Sequence, residues 1–247
     1  MKSKQFTLSL FIVLFLYASF LMPTTRLLWD ALDQEVFRFL NTYFLKYGLL
    51  QYFWALVNHK YMDFVEDGIF LLFFILSIQK TAPHLRSQKT VHYIFSIVLG
   101  ACIIFFINKL FFRSYAIFPR ESPSLTLTPC IRITEILPWQ LLKDSTTVSF
   151  PGDHATLLLI FGLLYSAFAT KKLSLAAWGY VIFRILPRLI VGAHWFSDIA
   201  VGSFSIALFF TSLFLYTPLG VRIMDWMEKI LFKREGVINF ETENTLS

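Results

Sequence analysis

Charge is scarce in this sequence. Asp, Glu, Lys and Arg make up 15% of its 247 residues, against 56% apolar ones, where a soluble domain carries about 25% charged residues. That shortage, a mean hydropathy of +0.62 and 29 phenylalanines exclude an ordinary water-soluble domain and point to an all-α polytopic membrane protein. Cysteine is nearly missing too. Cys102 lies in an apolar run and Cys130 in a polar loop; their different depths argue against a disulfide, and two thiols alone make no metal site. The formal charge is +6, but no basic block or aromatic-basic interleaving accompanies it, so nucleic acid is not expected as a partner. No low-complexity tract or internal repeat divides the chain, and residues 1–247 read as one membrane domain.

The apolar runs predict six transmembrane helices. Lys2 and Lys4 precede the first, Phe6–Met22, which is long enough to span and has no convincing cleavage site after it. The second, Gly68–Ile78, reaches spanning length only with Met62–Asp67 in the outer headgroup region. The others fall near Tyr93–Phe112, His154–Thr170, Leu173–Gly192 and Trp195–Tyr216. Residues 26–60 are amphipathic, and the expectation is a segment lying at the interface or over the bundle, for packing and not chemistry. The tail, about 218–247, opens amphipathic and ends polar.

With the N-terminus inside, the inner segments hold Lys2, Lys4, Lys80, Arg86, Lys89, Lys171, Lys172, Arg222, Lys229, Lys233 and Arg234. As many basic residues fall on the outer side, over about twice the length, so charge density favours this orientation.

Three stretches then meet on the outer face. Arg113 and Arg120 bracket the loop after the third span. SFPGDHA, residues 149–155, opens the fourth, where Pro151 suits a first helical turn. PRLIVGAHWFSD, residues 187–198, joins the fifth and sixth, with Arg188, His194 and Asp198 at the spacing Arg-x5-His-x3-Asp. Hydrocarbon rejects such groups unless they pair or face water, so ionisable residues at membrane depth mark function. On a helix His194 and Asp198 would be one turn apart, letting the carboxylate hold one imidazole nitrogen and free the other. Arginines and helix N-termini together favour a phosphate at the lipid–water boundary.

The order Arg-x6-Arg, Pro-x-x-His, Arg-x5-His-x3-Asp resembles the type 2 phosphatidic acid phosphatase superfamily, whose motifs read KxxxxxxRP, PSGH and SRxxxxxHxxxD. The resemblance implies a six-helix enzyme working through a phosphohistidine, without metal or other cofactor. His194 would be the nucleophile, Asp198 its orienting partner and His154 the acid that protonates the leaving oxygen. Arg113, Arg120 and Arg188 would hold the phosphoryl oxygens. Four positions depart from the pattern: Arg113 replaces lysine, Glu121 and Pro187 replace proline and serine, and Gly152 and Asp153 stand where serine and glycine donate to phosphate. Asp153 beside a phosphate must turn away, pair with arginine or take a proton.

One branch shares these departures. RxSPxLT at Arg120–Thr126, SFPGDH, PRxxxGAHWFxDIxVGS, the Asp33/Asn41 segment and the Asp67–Gly68 pair resemble the Kdo2-lipid A phosphotransferases, or lipid A 1-diphosphate synthases, of Gram-negative inner membranes. That branch implies undecaprenyl diphosphate as donor and the 1-phosphate of lipid A as acceptor, on the periplasmic face. The alternative within the same chemistry is a lipid pyrophosphate phosphatase. A phosphate transporter would need polar residues through the bundle, whereas these cluster at one end. His59, His84 and His92 read as packed or hydrogen-bonded, Arg184 as structural, Lys109 and Trp195 as interface anchors.

Overall fold

The computed structural model describes residues 2–115, 118–137 and 141–232. Lys233, Arg234 and the rest of the polar tail lie outside the described residues, as do Ala116 and Ile117 of the loop between Arg113 and Arg120. Among the described residues there is no strand; the chain is a helical bundle.

The first helix, α1 (Lys2–Leu21), turns Phe11, Leu14 and Phe15 outward, as a helix solvated by lipid does. Pro23 supplies the fixed φ that starts α2 (Pro23–Phe44). Its buried residues Asp33, Phe37 and Asn41 recur every four positions, one stripe facing the bundle. The amphipathic segment is not continuous: Leu45–Tyr47 break it, and α3 (Gly48–Asn58) follows. Next come α4 (Tyr61–Gln79) and α5 (Arg86–Cys102), the latter running on as a π-helical stretch, Ile103–Arg113. A long connection before α8, the outer connection of the expected topology, holds the single turns α6 (Pro123–Thr126) and α7 (Ile133–Ile136). Then α8 (Asp153–Phe168) and α9 (Lys171–Ile190) form a hairpin, and a π-helical turn, Asp198–Ser203, leads into α10 (Phe204–Tyr216). The last helix, α11 (Pro218–Phe232), packs on α5 and α10.

At the centre stands α8, packed against α5, α9 and α10 and buried on every side. Gly162 lets it approach α9, because a Cβ there would sit 3.2 Å from the Trp178 ring. Phe70 stacks on Phe161 with centroids 4.2 Å apart, and Phe74 on Tyr93 at 4.4 Å. Offset aromatic pairs of this kind lock α4, α5 and α8 together. His92 stacks on Phe168.

Four helices among the described residues are long and apolar enough to cross a membrane: Ser3–Leu21, Pro83–Arg113, Lys171–Ile190 and Asp198–Tyr216. The other two expected spans exist as helices but differ physically. Helix α4 carries Asp63, Glu66 and Asp67 in its first two turns, and α8 is apolar but has 16 residues, about 24 Å of rise. Pro151 lies ahead of the N-cap Gly152 and not in the first turn of α8 as expected.

The outer connection is fastened by side chains. Asn41 Nδ2 donates to the carbonyls of Ile131 (3.0 Å) and Ile190 (3.1 Å), and its Oδ1 accepts the Ile131 N–H at 2.8 Å. Asp144 accepts the Thr134 N–H (3.1 Å) and hydroxyl (2.5 Å). Asn41→Ala would strand these backbone groups and should lower stability by at least about 1–3 kcal/mol, read as a lower unfolding temperature in detergent.

Candidate active site

The site begins where α9 ends. Arg184 and Arg188, one turn apart, face inward and are buried. Arg184 donates to Glu66 Oε2 (2.8 Å) and to the Val57 carbonyl (2.7 Å). Arg188 donates to Asn58 Oδ1 at 2.6 Å and lies 3.6 Å from Asp63. Beyond Ile190 the chain reverses at Gly192, whose φ of +78° favours glycine; a Cβ there would meet the Phe37 ring at 2.6 Å. The N–H groups of Ala193 and His194 turn back to the Arg188 carbonyl. His194 therefore stands in a turn ahead of the next helix and not on it.

Its bonding fixes its chemistry. His194 Nδ1 is 2.8 Å from the carbonyl of Ser149. A carbonyl only accepts, so Nδ1 carries the proton and the neutral ring presents a lone pair at Nε2. Asp198, placed by the sequence as the direct partner, is 3.7 Å from Nδ1. Its carboxylate instead accepts the Trp195 N–H at 2.8 Å, capping the start of its own helix, and meets Arg120 at 3.3 Å. Asp198 acts on the ring through its charge and by fixing the turn that holds it.

The SFPGDH stretch closes one side. Ser149 N–H donates to the Arg120 carbonyl, and Gly152 lies against the imidazole: a Cβ there would come 3.5 Å from His194 Cε1 and Nδ1. Ser203 Oγ donates to the Gly152 carbonyl at 2.9 Å. Of the three ways Asp153 could sit beside a phosphate, pairing is the one it takes, with Arg113 at 2.9 Å and Asn108 at 3.1 Å. His154 points Nε2 at Glu66 Oε2, 3.5 Å away.

Arg120 reaches the site from the outer connection. It donates to Ser197 Oγ (2.7 Å) and Asp33 Oδ2 (2.5 Å), and stacks over Trp195 with its guanidinium carbon 4.5 Å from the ring centroid. Trp195 is thus buried in the site, its Nε1–H on the Glu121 carbonyl at 2.7 Å, and is not the interface anchor expected. Asp33 is sealed from solvent and also accepts the Ser197 N–H (2.7 Å) and hydroxyl (2.6 Å). Burial pushes its carboxyl above the usual range, while Arg120 and Ser197 pull the other way.

Arg113, Arg120, Arg188, Gly152, Asp153, His154, His194 and Asp198 are brought together at one end of the bundle. Sequence reasoning missed Asp33, Asn58, Asp63, Glu66, Asn108 and Ser149. The expectation that residues 26–60 serve packing alone fails, because α2 and α3 supply Asp33 and Asn58 to two site arginines. The available signal was the stripe Asp33–Phe37–Asn41, polar residues on the buried face of an amphipathic helix. Among the described residues, no three His, Cys, Asp or Glu side chains are grouped to hold a metal ion.

This chain is 31% identical over 221 residues to the lipid A 1-diphosphate synthase of Escherichia coli (strain K12), covering 87% of this chain and 89% of that protein. The chain belongs to the lipid A 1-diphosphate synthase family. A match of that length takes in the whole stretch from Arg113 to Asp198, so the site described above lies within the part shared with this family member. No family model matches the chain, and no solved structure matches it.

The Asp33–Arg120 pair joins α2 to the site, and its removal can be measured. Arg120→Ala should cost about 3–5 kcal/mol by leaving Asp33 buried without its cation, and Asp33→Ala should cost less, because Arg120 keeps Asp198. The double variant should cost much less than their sum, as a double-mutant cycle of unfolding in detergent would report.

Proposed function

We propose that this family member is a phosphotransferase that moves the terminal phosphate of undecaprenyl diphosphate to the 1-phosphate of lipid A, through a phosphohistidine at His194. The observation that carries the chemistry is the Ser149 carbonyl on His194 Nδ1, which leaves Nε2 as a lone-pair nucleophile, with Arg113, Arg120 and Arg188 held by their acidic partners at the same end of the bundle. The name of the Escherichia coli relative supports lipid A as acceptor.

In the first step His194 Nε2 attacks the terminal phosphorus, the N–P bond forms and the P–O bond to the lipid phosphate breaks. The arginines neutralise the charge that spreads over the phosphoryl oxygens; positioning and electrostatics carry most of such a transfer. His154 gives its proton to the departing oxygen. In the second step the acceptor phosphate attacks the same phosphorus, His154 takes the proton back, and the N–P bond breaks. Arg113, Arg120 and Arg188 already hold Asp153, Asp33 with Asp198, and Asp63. An entering phosphate therefore competes with Asp153 and Asp63 for its arginines.

The architecture that goes with this reading is a single domain of six spans of the type 2 phosphatidic acid phosphatase kind in the bacterial inner membrane. Helices α4 and α8 supply the two further crossings. The acidic first turns of α4 lie at outer headgroup level, the site faces the periplasm, and the tail from Pro218 lies on the cytoplasmic side.

Purified protein given terminally radiolabelled undecaprenyl diphosphate should move the label to lipid A. Release of free phosphate that lipid A does not divert would replace the transferase with a lipid pyrophosphate phosphatase. Without acceptor, label should accumulate on the protein as an acid-labile phosphohistidine, absent from His194→Ala. His154→Ala should slow turnover by about 100- to 10,000-fold; full activity in either variant would remove the mechanism.

A further inference from the structure

Two imidazoles share this site, and their neighbours differ in a way the motifs do not show. The nearest acceptor of His194 is a neutral carbonyl, 2.8 Å from Nδ1. Among the described residues, no carbonyl takes that role for His154. Its Nε2 is buried without a hydrogen-bond partner, and the carboxylate facing it is Glu66, with Oε2 at 3.5 Å. That same oxygen accepts Arg184 Nε at 2.8 Å, so Glu66 is held in place and cannot swing away from the ring.

We propose that Glu66 is the positioning residue of His154: its carboxylate holds the Nε2–H, turns Nδ1 toward the substrate, and stabilises the imidazolium that protonates the leaving lipid phosphate.

The proposal rests on the phosphotransfer reading above. A neutral acceptor suits an imidazole that must offer a lone pair, and an anionic acceptor suits one that must carry an extra proton. The surroundings of His154 make the anion necessary. Arg184 and Arg188 from α9, Lys143 from the outer connection and His194 from the following turn all disfavour a charge on the ring electrostatically. Glu66 and Asp63, both from α4, are the acidic groups on that side, and Asp63 is taken by Lys143 at 2.6 Å and approached by Arg188. A charged ring among these cations needs an anion in contact, and Glu66 is the carboxylate placed to supply it. The 3.5 Å gap is about half an ångström beyond a formed hydrogen bond, and such bonds tighten when substrate binds.

The proton balance closes. Nε2–H stays on His154 throughout, bonded to Glu66. The Nδ1 proton leaves with the lipid phosphate as the P–O bond breaks, and Nδ1 takes a proton from the acceptor as the new P–O bond forms. A purely structural Glu66 would do no more than neutralise Arg184.

The two roles separate by spectroscopy and kinetics together. Full-length protein labelled with 15N-histidine, in detergent, with His154 signals assigned through His154→Ala, should show His154 protonated at Nε2. Glu66→Gln should shift that signal and lower kcat on undecaprenyl diphosphate by about 100-fold or more with KM within a few-fold, and Glu66→Asp should recover part of both. An unchanged His154 signal in Glu66→Gln overturns the proposal, as does a loss confined to KM. Should Glu66→Gln fail to fold, Glu66→Asp, which keeps the charge for Arg184, is read in its place, and an unshifted His154 signal there is the overturning result. Full activity of His154→Ala would remove the phosphotransfer reading instead, an outcome the His154 spectrum does not depend on.

Discussion

The structure depends on one constraint, that arginine can enter an apolar bundle only in the company of an anion. The site arginines obey it by name: Arg113 with Asp153, Arg120 with Asp33 and Asp198, Arg184 with Glu66, Arg188 with Asp63. Each pair joins segments distant in sequence, so the ion pairs also set how the helices sit around the site. Burying such a pair gains little stability in itself, but removing one partner is costly. The carboxylates are therefore as much part of the fold as the aromatic stacks in the core.

The same pairing suits a site proposed to take an anion. Arg120 and Arg188 are already buried and oriented, so in the proposed reaction the cost of desolvating them is met before the phosphoryl group arrives. The acids do not all stand in the same relation to it. Asp33 and Asp198 are sealed beneath Arg120, whereas Asp153 and Asp63 are partly exposed beside Arg113 and Arg188. The inner pair fixes geometry and the outer pairs can exchange partners. The glycine of PGDH fits this arrangement as well, since Gly152 packs beside the His194 ring and a Cβ there would come 3.3 Å from Ser203 Oγ.

Much of this was legible in the sequence, and the remainder was hidden for a physical reason. Arg188, His194 and Asp198 announce themselves because their spacing is local and their polarity stands out against apolar neighbours. The pairing of Asp153 with arginine was one of three outcomes the residue types allowed. Asp33 entered only as part of a segment resembling the branch, with no role attached, and Asn58 and Glu66 gave no such signal. The partners of these three lie 87, 130 and 118 residues away in sequence, and an acid on an amphipathic helix looks like solvated surface until the fold shows what covers it. The role of Ser149 was unreadable in principle, because it acts through its backbone carbonyl, which every residue possesses. The six expected spans all appear as helices. Charge in α4 and brevity in α8 separate two of them from the four that pass by length and hydropathy, and these are the helices that carry Glu66, Asp153 and His154.

The brevity of α8 has a bearing on depth. It pairs with α9, which has 20 residues to its 16, across a two-residue connection at their other end. At 1.5 Å per residue, α8 therefore starts about 6 Å short of the level at which α9 finishes. Asp153 and His154 lie on its first turn, beside Arg113 and Glu66. In the proposed reaction a phosphate would therefore meet them about one helical turn below the end of α9. On that reading the shortened helix works as a depth gauge, fixing how far the reacting group leaves the aqueous boundary.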